Sequence, residues 1–260
     1  MGIAQPPGDV VAQLQNAVRV SKRTKTVRVP QAFVRDLVRN EPATPLAQVM
    51  QGHGETRLKV LLTTLMMATA PPHAIKVRPK ELAGMLGYRE PDGAGGRRVN
   101  NAFKSLEELN LVHRDRLAGH VPNTTVLNPD GSCGAWDDTK LEPGHYVSLP
   151  IDFWKRGWIV ALSGRAIALF LILREATNGR KTTGTAWIPG TRKRQYVLSE
   201  DFWATAISEL VEAGLLDVEA RTFAYQGEPR RRNVYILHSD RVQQFDPGDA
   251  PAGTYAGIHG

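Results

Sequence analysis

The chain is poor in residues that build covalent or metal-based sites. Its 260 residues include one cysteine, Cys133, which excludes an intrachain disulfide and a zinc site built from cysteines. The seven histidines are scattered, without a His-x-His pair or a zinc-ligand spacing, and no Gly-x-Ser-x-Gly elbow occurs. We therefore expect no catalytic residue, no metal and no other cofactor. The single cysteine is typical of a reducing compartment.

The chain also lacks an apolar run of membrane-spanning length. Its two longest apolar stretches, 60–70 and 166–173, fall well short of the roughly 20 residues that a spanning helix needs. Residues 1–9 are rich in proline and glycine and show no secretory pattern. These features predict a cytoplasmic protein that has no membrane partner.

Acidic residues are the minority charge. The chain has 33 Lys and Arg against 26 Asp and Glu, which gives a net charge of +7 and a pI near 9.7. The apolar fraction of 42% and the charged fraction of 23% are those of a globular protein, and the length suffices for two domains. A basic excess favours binding to a polyanion, although it is a weak signal by itself.

One sequence pattern occurs twice at a domain-sized spacing. Segment 27–33 (VRVPQAF) resembles segment 147–153 (VSLPIDF), which begins 120 positions later (147 − 27). Two further pairs follow in the same order, namely apolar helices with an early arginine, Arg57 and Arg165, and then the segments 103–112 (FKSLEELNLV) and 207–216 (ISELVEAGLL). Because solenoid repeats have periods of 20–50 residues, this spacing predicts two related domains in tandem.

Composition and periodicity divide the chain into five parts. We expect an N-terminal helix and basic arm at 1–26, a first domain at 27–127, a linker rich in Pro, Gly and Asp at 128–144, a second domain at 145–239 and a flexible tail at 240–260. In the first domain the pattern predicts helices at 56–70, 78–88 and 97–110 and strands at 111–114 and 124–127. In the second it predicts helices at 163–175 and 199–213 and strands at 215–225 and 233–237, joined by a tip at 226–229.

Helices followed by a hairpin are the element order of a winged helix-turn-helix. The predicted fold class is therefore α+β, mostly helical, with two tandem winged helix-turn-helix domains related by internal duplication. Five aromatic residues at helical spacing in the second domain are predicted to be core residues rather than a stacking surface: Phe153, Trp154, Trp158, Phe202 and Trp203.

The third helix of the first domain carries the sharpest candidate site. Its apolar residues face the core, so five polar residues turn outward near its amino end: Arg97, Arg98, Asn100, Asn101 and Lys104. Arginine reads the O6/N7 edge of guanine, asparagine reads the N6/N7 edge of adenine, and residues early in a recognition helix enter the major groove. A solvated face usually mixes both signs, but no acid precedes Glu107 here. We predict base reading by this helix; an ordinary solvated face is the alternative.

The third helix of the second domain is instead acidic. Its outward residues Glu200, Asp201, Glu209 and Glu212 would meet phosphate as like charges. The basic residues of this domain lie before that helix and on the hairpin, and we expect them to contact phosphate unless the domain is a partner surface: Arg192, Lys193, Arg194, Arg230, Arg231 and Arg232. The basic arm, with Lys22, Arg23 and Lys25, is either an extended DNA-binding arm or a solvated linker.

Two winged helices in a basic chain, with the helix–wing junctions SLEELNLV and AISELVEAGLL, resemble bacterial plasmid replication initiators over residues 27–239. The resemblance rests on architecture and pattern. It implies a protein that binds repeated origin sequences in double-stranded DNA through both domains, forms a homodimer, represses its own promoter and recruits host replication proteins. The outward residues of the third helix, from Arg97 to Lys104, then correspond to base-reading positions. The acidic third helix of the second domain departs from the pattern.

Three alternatives remain open from the sequence. A transcriptional repressor or a partition regulator on the same fold would present the same surface. A tandem winged-helix scaffold that binds protein is favoured by the acidic helix and opposed by the net charge of +7. An enzyme ranks last because no site for one is present.

Overall fold

A computed structural model describes six ranges of the chain: 3–35, 43–52, 54–142, 144–177, 183–225 and 228–258. In these ranges the protein is an α+β protein with more helix than strand, as the sequence predicts. None of the helices in the described ranges has the length and the apolar content of a membrane span.

The described residues of the first half contain ten regular elements. They are α1 (Gly8–Ser21), β1 (Thr26–Pro30), α2 (Gln31–Val34), α3 (Pro45–Met50), α4 (Glu55–Met67), β2 (Ala74–Lys76), α5 (Pro79–Met85), α6 (Gly96–Glu108), β3 (Val112–Asp115) and β4 (Asn123–Val126). A turn (Pro91–Gly95), kinked at Gly93, joins α5 to α6. The predicted helices and strands of this half are present within a few residues, whereas β1, α2, α3 and β2 were not predicted.

The second half contains eleven regular elements in its described residues. They are β5 (Tyr146–Pro150), α7 (Asp152–Lys155), α8 (Trp158–Ala161), α9 (Gly164–Ala176), β6 (Thr183–Ala186), α10 (Gly190–Gln195), α11 (Glu200–Glu212), β7 (Leu216–Tyr225), β8 (Glu228–His238), α12 (Arg241–Gln244) and β9 (Tyr255–Ala256). A 3-10 turn (Asp138–Lys140) lies between the halves. Ser163 and Ser199 begin α9 and α11, because each hydroxyl accepts a hydrogen bond from the backbone N–H three residues on.

The sheets of the two halves have the same strand order. In the first half the order is β2–β4–β3, and in the second it is β6–β8–β7, with β9 added at the outer edge of β7. In each half the sheet's first strand follows the long apolar helix, α4 or α9. Two more helices come next, and the hairpin comes last.

A separate two-stranded sheet joins the two repeated opening segments. β1 and β5 pair antiparallel, with Val27 opposite Leu149, Arg28 opposite Ser148 and Val29 opposite Val147. The offset between Arg28 and Ser148 is 120 positions (148 − 28), the same as the sequence repeat. The register is therefore symmetric about that one pair.

One continuous core runs through both halves. A single cluster of buried apolar residues includes six residues of α4, most of α9 and the five aromatic residues that were predicted to be core, which confirms that prediction. The indole N–H of Trp154 donates a hydrogen bond to the Thr63 hydroxyl of α4 at 3.2 Å. A Cβ at Gly164 would lie 2.6 Å from Cα of Glu55, so glycine allows α9 to begin directly against α4.

The carboxyl-terminal segment, which was predicted to be a flexible tail, contains regular secondary structure in its described residues. Residues 241–244 form α12, and β9 pairs in parallel with β7. The backbone N–H of Ile258 donates to the Asn233 side chain at 2.7 Å, and that side chain donates back to the Ile258 carbonyl at 3.0 Å. The segment thus lies along the open edge of β7 rather than packing through an apolar face of its own.

Candidate nucleic-acid interface

Helix α6 presents the polar face that its sequence predicts. Val99, Ala102, Phe103 and Leu106 are buried, and they hold the helix on the core. The five predicted base-reading residues are all exposed: Arg97, Arg98, Asn100, Asn101 and Lys104. Because a buried apolar face fixes the helix, these side chains project from a rigid element, as base reading requires.

Asn100 and Asn101 differ in what holds their amides. The Asn100 carbonyl oxygen accepts a hydrogen bond from the guanidinium of Arg114 at 3.1 Å. Arg114 is 5% exposed, and its guanidinium carbon lies 4.8 Å from the centre of the Phe103 ring. Burial lowers the pKa of Arg114, and the nearby Arg116 lowers it further, while Glu107 opposes the shift. Within the described chain Asn101 has no side-chain hydrogen bond, so both its amide atoms can pair with an adenine edge.

A groove of 720 Å³ lies beside the amino end of α6. It is lined by Arg97, Asn100 and Asn101, by the start of α5 with Arg78 and Lys80, and by the β3–β4 tip at 119–122. Arg78 and Lys80 are exposed, and Lys80 also pairs with Asp92 at 2.7 Å. Sequence reasoning missed these two cations. The Arg-Pro-Lys triplet at a helix start was the signal that could have found them.

Two adjacent glycines set the position of α6. A Cβ at Gly96 would lie 2.5 Å from the Pro91 carbonyl oxygen, and one at Gly95 would lie 2.7 Å from the Arg89 carbonyl oxygen. Any side chain at either position would push the helix away from the turn before it. The glycines therefore let the amino end of α6 lie against the α5–α6 turn. The first turn of α6 carries no acidic residue.

A second groove, of 1180 Å³, separates α6 from the second half. Arg98 and Asn101 line one wall, and Val197 lies on the other. The early arginines of the two repeats, Arg57 and Arg165, also line this groove. The face of α6 thus borders both of these grooves, and the larger of the two involves both halves of the molecule.

Three of the four acidic residues of α11 have partners within the protein, although the Glu200 and Asp201 side chains stay 85% and 78% exposed. Glu200 pairs with Lys193 at 3.6 Å, and Asp201 pairs with Arg165 at 3.1 Å. Glu209 accepts hydrogen bonds from the backbone N–H and the hydroxyl of Ser163, where it caps the start of α9. Ion pairing reduces the repulsion that these carboxylates would exert on phosphate, and it also occupies the partner cations.

The predicted basic cluster before α11 is itself a helix, α10, and it is only partly exposed. Arg192 forms an ion pair with Glu175, whose side chain is 2% exposed, and it donates to the Tyr196 hydroxyl at 3.1 Å. Lys193 lies 5.1 Å from the centre of the Trp203 ring. Arg194 is exposed. Of the three residues predicted to contact phosphate, Arg192 therefore binds within the protein, to Glu175 and Tyr196.

The three consecutive arginines of the hairpin lie within β8 rather than at the tip, so the strand is longer than predicted. Arg230 pairs with Phe223, Arg231 with Thr222 and Arg232 with Arg221. Side chains alternate along a strand, so Arg230 and Arg232 share one face and Arg231 lies on the other. The first two residues of the predicted tip, 226–227, lie outside the described residues.

The basic arm between α1 and β1 is short. Lys22 and Lys25 are exposed. Arg23 is turned inward, where its guanidinium donates to the carbonyls of Met66 at 3.2 Å and Leu65 at 3.3 Å. Those carbonyls end α4, so Arg23 caps that helix, which a DNA-binding arm would not require.

Among the described residues, no group of three or more His, Cys, Asp or Glu side chains is placed to hold a metal ion. Cys133 is exposed and forms no disulfide. Comparisons of the chain with protein-family models, with curated proteins and with solved structures found no match.

Proposed function

We propose that the chain is a sequence-specific double-stranded DNA-binding protein that reads bases with α6. The observation that carries this proposal is the exposed face of α6 from Arg97 to Lys104, which has no acidic residue and lies opposite the buried face of the same helix. The groove at its amino end adds the cations Arg78 and Lys80. In this arrangement α6 enters the major groove, Arg97 and Asn101 contact base edges, and the other cations contact phosphates.

We further propose that the two halves are winged helix-turn-helix domains that arose by duplication. The common element order and the matching sheets, β2–β4–β3 and β6–β8–β7, support this interpretation. The symmetric register of β1 and β5 about Arg28 and Ser148 supports it independently, because duplicated segments that pair about a twofold axis meet at equivalent residues.

The biological role proposed is initiation of plasmid or mobile-element replication, and it rests on the resemblance to plasmid initiators. The same surface would serve a transcriptional repressor or a partition regulator. The arrangement of the bound sites separates these roles, because origins carry clustered direct repeats and a dimeric repressor binds an inverted repeat.

The test is affinity selection of fragmented plasmid and genomic DNA by the wild-type protein and by Asn101→Ala, at two salt concentrations. We expect the wild type to enrich a discrete sequence, and the variant to lose preference at one base pair of it. Clustered direct repeats support an initiator, and a single inverted repeat would move the assignment to a regulator. Enrichment that vanishes with added salt for both proteins would refute sequence-specific binding.

The hairpin gives a second test. Arg231→Ala removes one exposed cation, so it should weaken binding to all duplexes alike and reduce the salt slope by about one. An unchanged slope would remove the hairpin from the DNA-binding surface.

A further inference from the structure

We propose that the outer face of the β6–β8–β7 sheet binds an unpaired DNA strand. Bases would stack on Trp187 and Phe223, while Arg221, Arg230 and Arg232 contact phosphates. None of these residues lies on α6 or lines either groove beside it. The choice of DNA rather than RNA rests on the proposed function; the binding of a single strand does not.

Two large aromatic side chains are exposed on this face of the sheet. Trp187 is 44% exposed and Phe223 is 41% exposed. The other four tryptophans of the chain are each at most 3% exposed. Trp187 is therefore set apart from the tryptophans that build the core, and it presents its ring at the surface.

The strand register places both aromatic residues on the same face as the arginines. Phe223 is directly opposite Arg230, and Arg221 is directly opposite Arg232. Residues that face each other across an antiparallel pair project to the same side, and alternate residues along one strand do so too. The guanidinium carbon of Arg232 lies 4.1 Å from the centre of the Trp187 ring, which places Trp187 on this face as well.

The spacing of the aromatic residues suits an extended strand. Trp187 follows Ala186, which pairs with Tyr235, so Trp187 lies four β8 positions from Arg230 and Phe223. From strand geometry, the two rings are about 14 Å apart along the strands and about 10 Å across them. Arg232 lies between them, so a chain that runs from one ring to the other passes a cation on its way.

The arrangement of charge favours an anionic ligand. Arg221 and Arg232 are directly opposed, and like charges in that relation destabilise a sheet. Glu219 pairs with Arg221 at 2.7 Å and neutralises one of the two. A phosphate backbone that contacts Arg221, Arg230 and Arg232 would add favourable charge pairing to this face.

The aromatic residues favour a single strand over a duplex. Arginines alone would suffice to hold duplex phosphates. Stacking on an aromatic ring needs the flat face of a base, which neighbouring bases cover in a duplex and which an unpaired strand leaves open. Arg232 is stacked on Trp187, so one place on the surface offers an aromatic ring to a base and a positive charge to a phosphate.

The test measures binding of an oligothymidine of about 16 nucleotides, labelled with fluorescein, to the full chain by anisotropy. We expect Trp187→Ala and Phe223→Ala each to weaken binding by about 5-fold to 150-fold, as loss of one stacked base does. Trp187→Phe should restore most of the affinity. Trp187 is the one exposed tryptophan, so acrylamide should quench its fluorescence in the free protein. A bound strand should quench the same tryptophan fluorescence, and Trp187→Phe should abolish this quenching.

Two matched variants control for general effects. Leu117→Ala removes an exposed apolar side chain from the other hairpin, and Arg231→Ala removes a cation from the opposite face of β8. The first should leave strand binding unchanged, and the second should change it less than Arg230→Ala does. A wild-type protein that does not bind the strand, or Trp187 and Phe223 variants that bind it normally, would overturn the proposal.

Further arms separate this surface from α6. Asn101→Ala should alter duplex selection and leave binding of the oligothymidine unchanged, so the two proposals can fail independently. An unlabelled duplex that displaces the strand as well as an unlabelled strand does would show simple charge attraction and refute stacking. Tighter binding to oligouridine of the same length would refute the assignment to DNA.

Discussion

Replacement of Asn101 by alanine should change DNA specificity, whereas replacement of its neighbour Asn100 should change protein stability. The two variants together test how α6 reads DNA. Asn101 is exposed and has no side-chain hydrogen bond in the described chain, so Asn101→Ala should leave the free energy of unfolding unchanged. A bidentate contact from asparagine to adenine is worth about 1–3 kcal/mol of discrimination. That corresponds to roughly a 5-fold to 150-fold loss of affinity, confined to sequences with adenine at one position.

Asn100→Ala should instead act on the folded state. The Asn100 oxygen accepts a hydrogen bond from Arg114, whose guanidinium is buried against Phe103. Removal of this acceptor should lower the free energy of unfolding by about 1–2 kcal/mol, because a buried charged donor loses a partner. The Arg114 guanidinium would then be less constrained beneath α6.

The assay combines urea unfolding of both variants with binding to duplexes in which each base pair of the selected site is changed in turn. The expected pattern is a specificity change without destabilisation for Asn101→Ala, and destabilisation for Asn100→Ala. Equal loss of affinity for every duplex with Asn101→Ala would show that the residue contacts only the backbone. No loss at all would refute the assignment of α6 as the reading helix.

Three further predictions follow from the packing. Arg192→Ala leaves the buried Glu175 without its closest cation and should lower the free energy of unfolding by about 3 kcal/mol in urea titration, whereas the exposed Arg194→Ala should not. Gly96→Val should destabilise by more than about 2 kcal/mol and loosen α6, because its Cβ would overlap the Pro91 carbonyl; a normal melting temperature would contradict this packing. Burial of the Asp217 carboxyl raises its pKa, but hydrogen bonds from His238 and Thr254 outweigh burial and hold the pKa below the ordinary 3.8. The ionised Asp217 carboxylate therefore stabilises the folded state fully above pH 3.8, and this stabilisation is lost as the pH falls through the lower pKa of the folded state. The difference between the urea midpoints of the wild type and Asp217→Asn should accordingly close below pH 3.8. A difference that stays constant would show that ionisation of Asp217 does not hold the tail.

The face of α6 was predictable because it depends on local periodicity. Four buried and five exposed residues alternate along 97–106 at helical spacing, and the exposed ones are the residues that the sequence indicates. Helix starts at Ser163 and Ser199 were predictable for the same reason, since a cap involves only the next three residues. The long-range partners of the charged residues were not predictable in this way.

Charge counting failed where the tertiary structure pairs the charges. Arg192 and Arg23 stand in basic runs, yet one meets Glu175 and the other caps α4. The acids of α11 looked repulsive, yet Glu200 and Asp201 meet cations from α10 and α9. Each of these partners is distant in sequence or on another element, so no local pattern indicates it.

The sequence by itself determined the repeat at 120 positions, the amphipathic helices and the acid-free face of α6, because these features depend on spacing and on residue type within one segment. The tertiary structure alone decided which cations remain at the surface, how the tail adds a strand to β7, and which aromatic residues stay outside the core. Trp154 and Trp187 illustrate the difference: both are tryptophans of the second half, but one is fully buried and the other is 44% exposed. Burial depends on packing between distant segments, and only the folded chain brings those segments together.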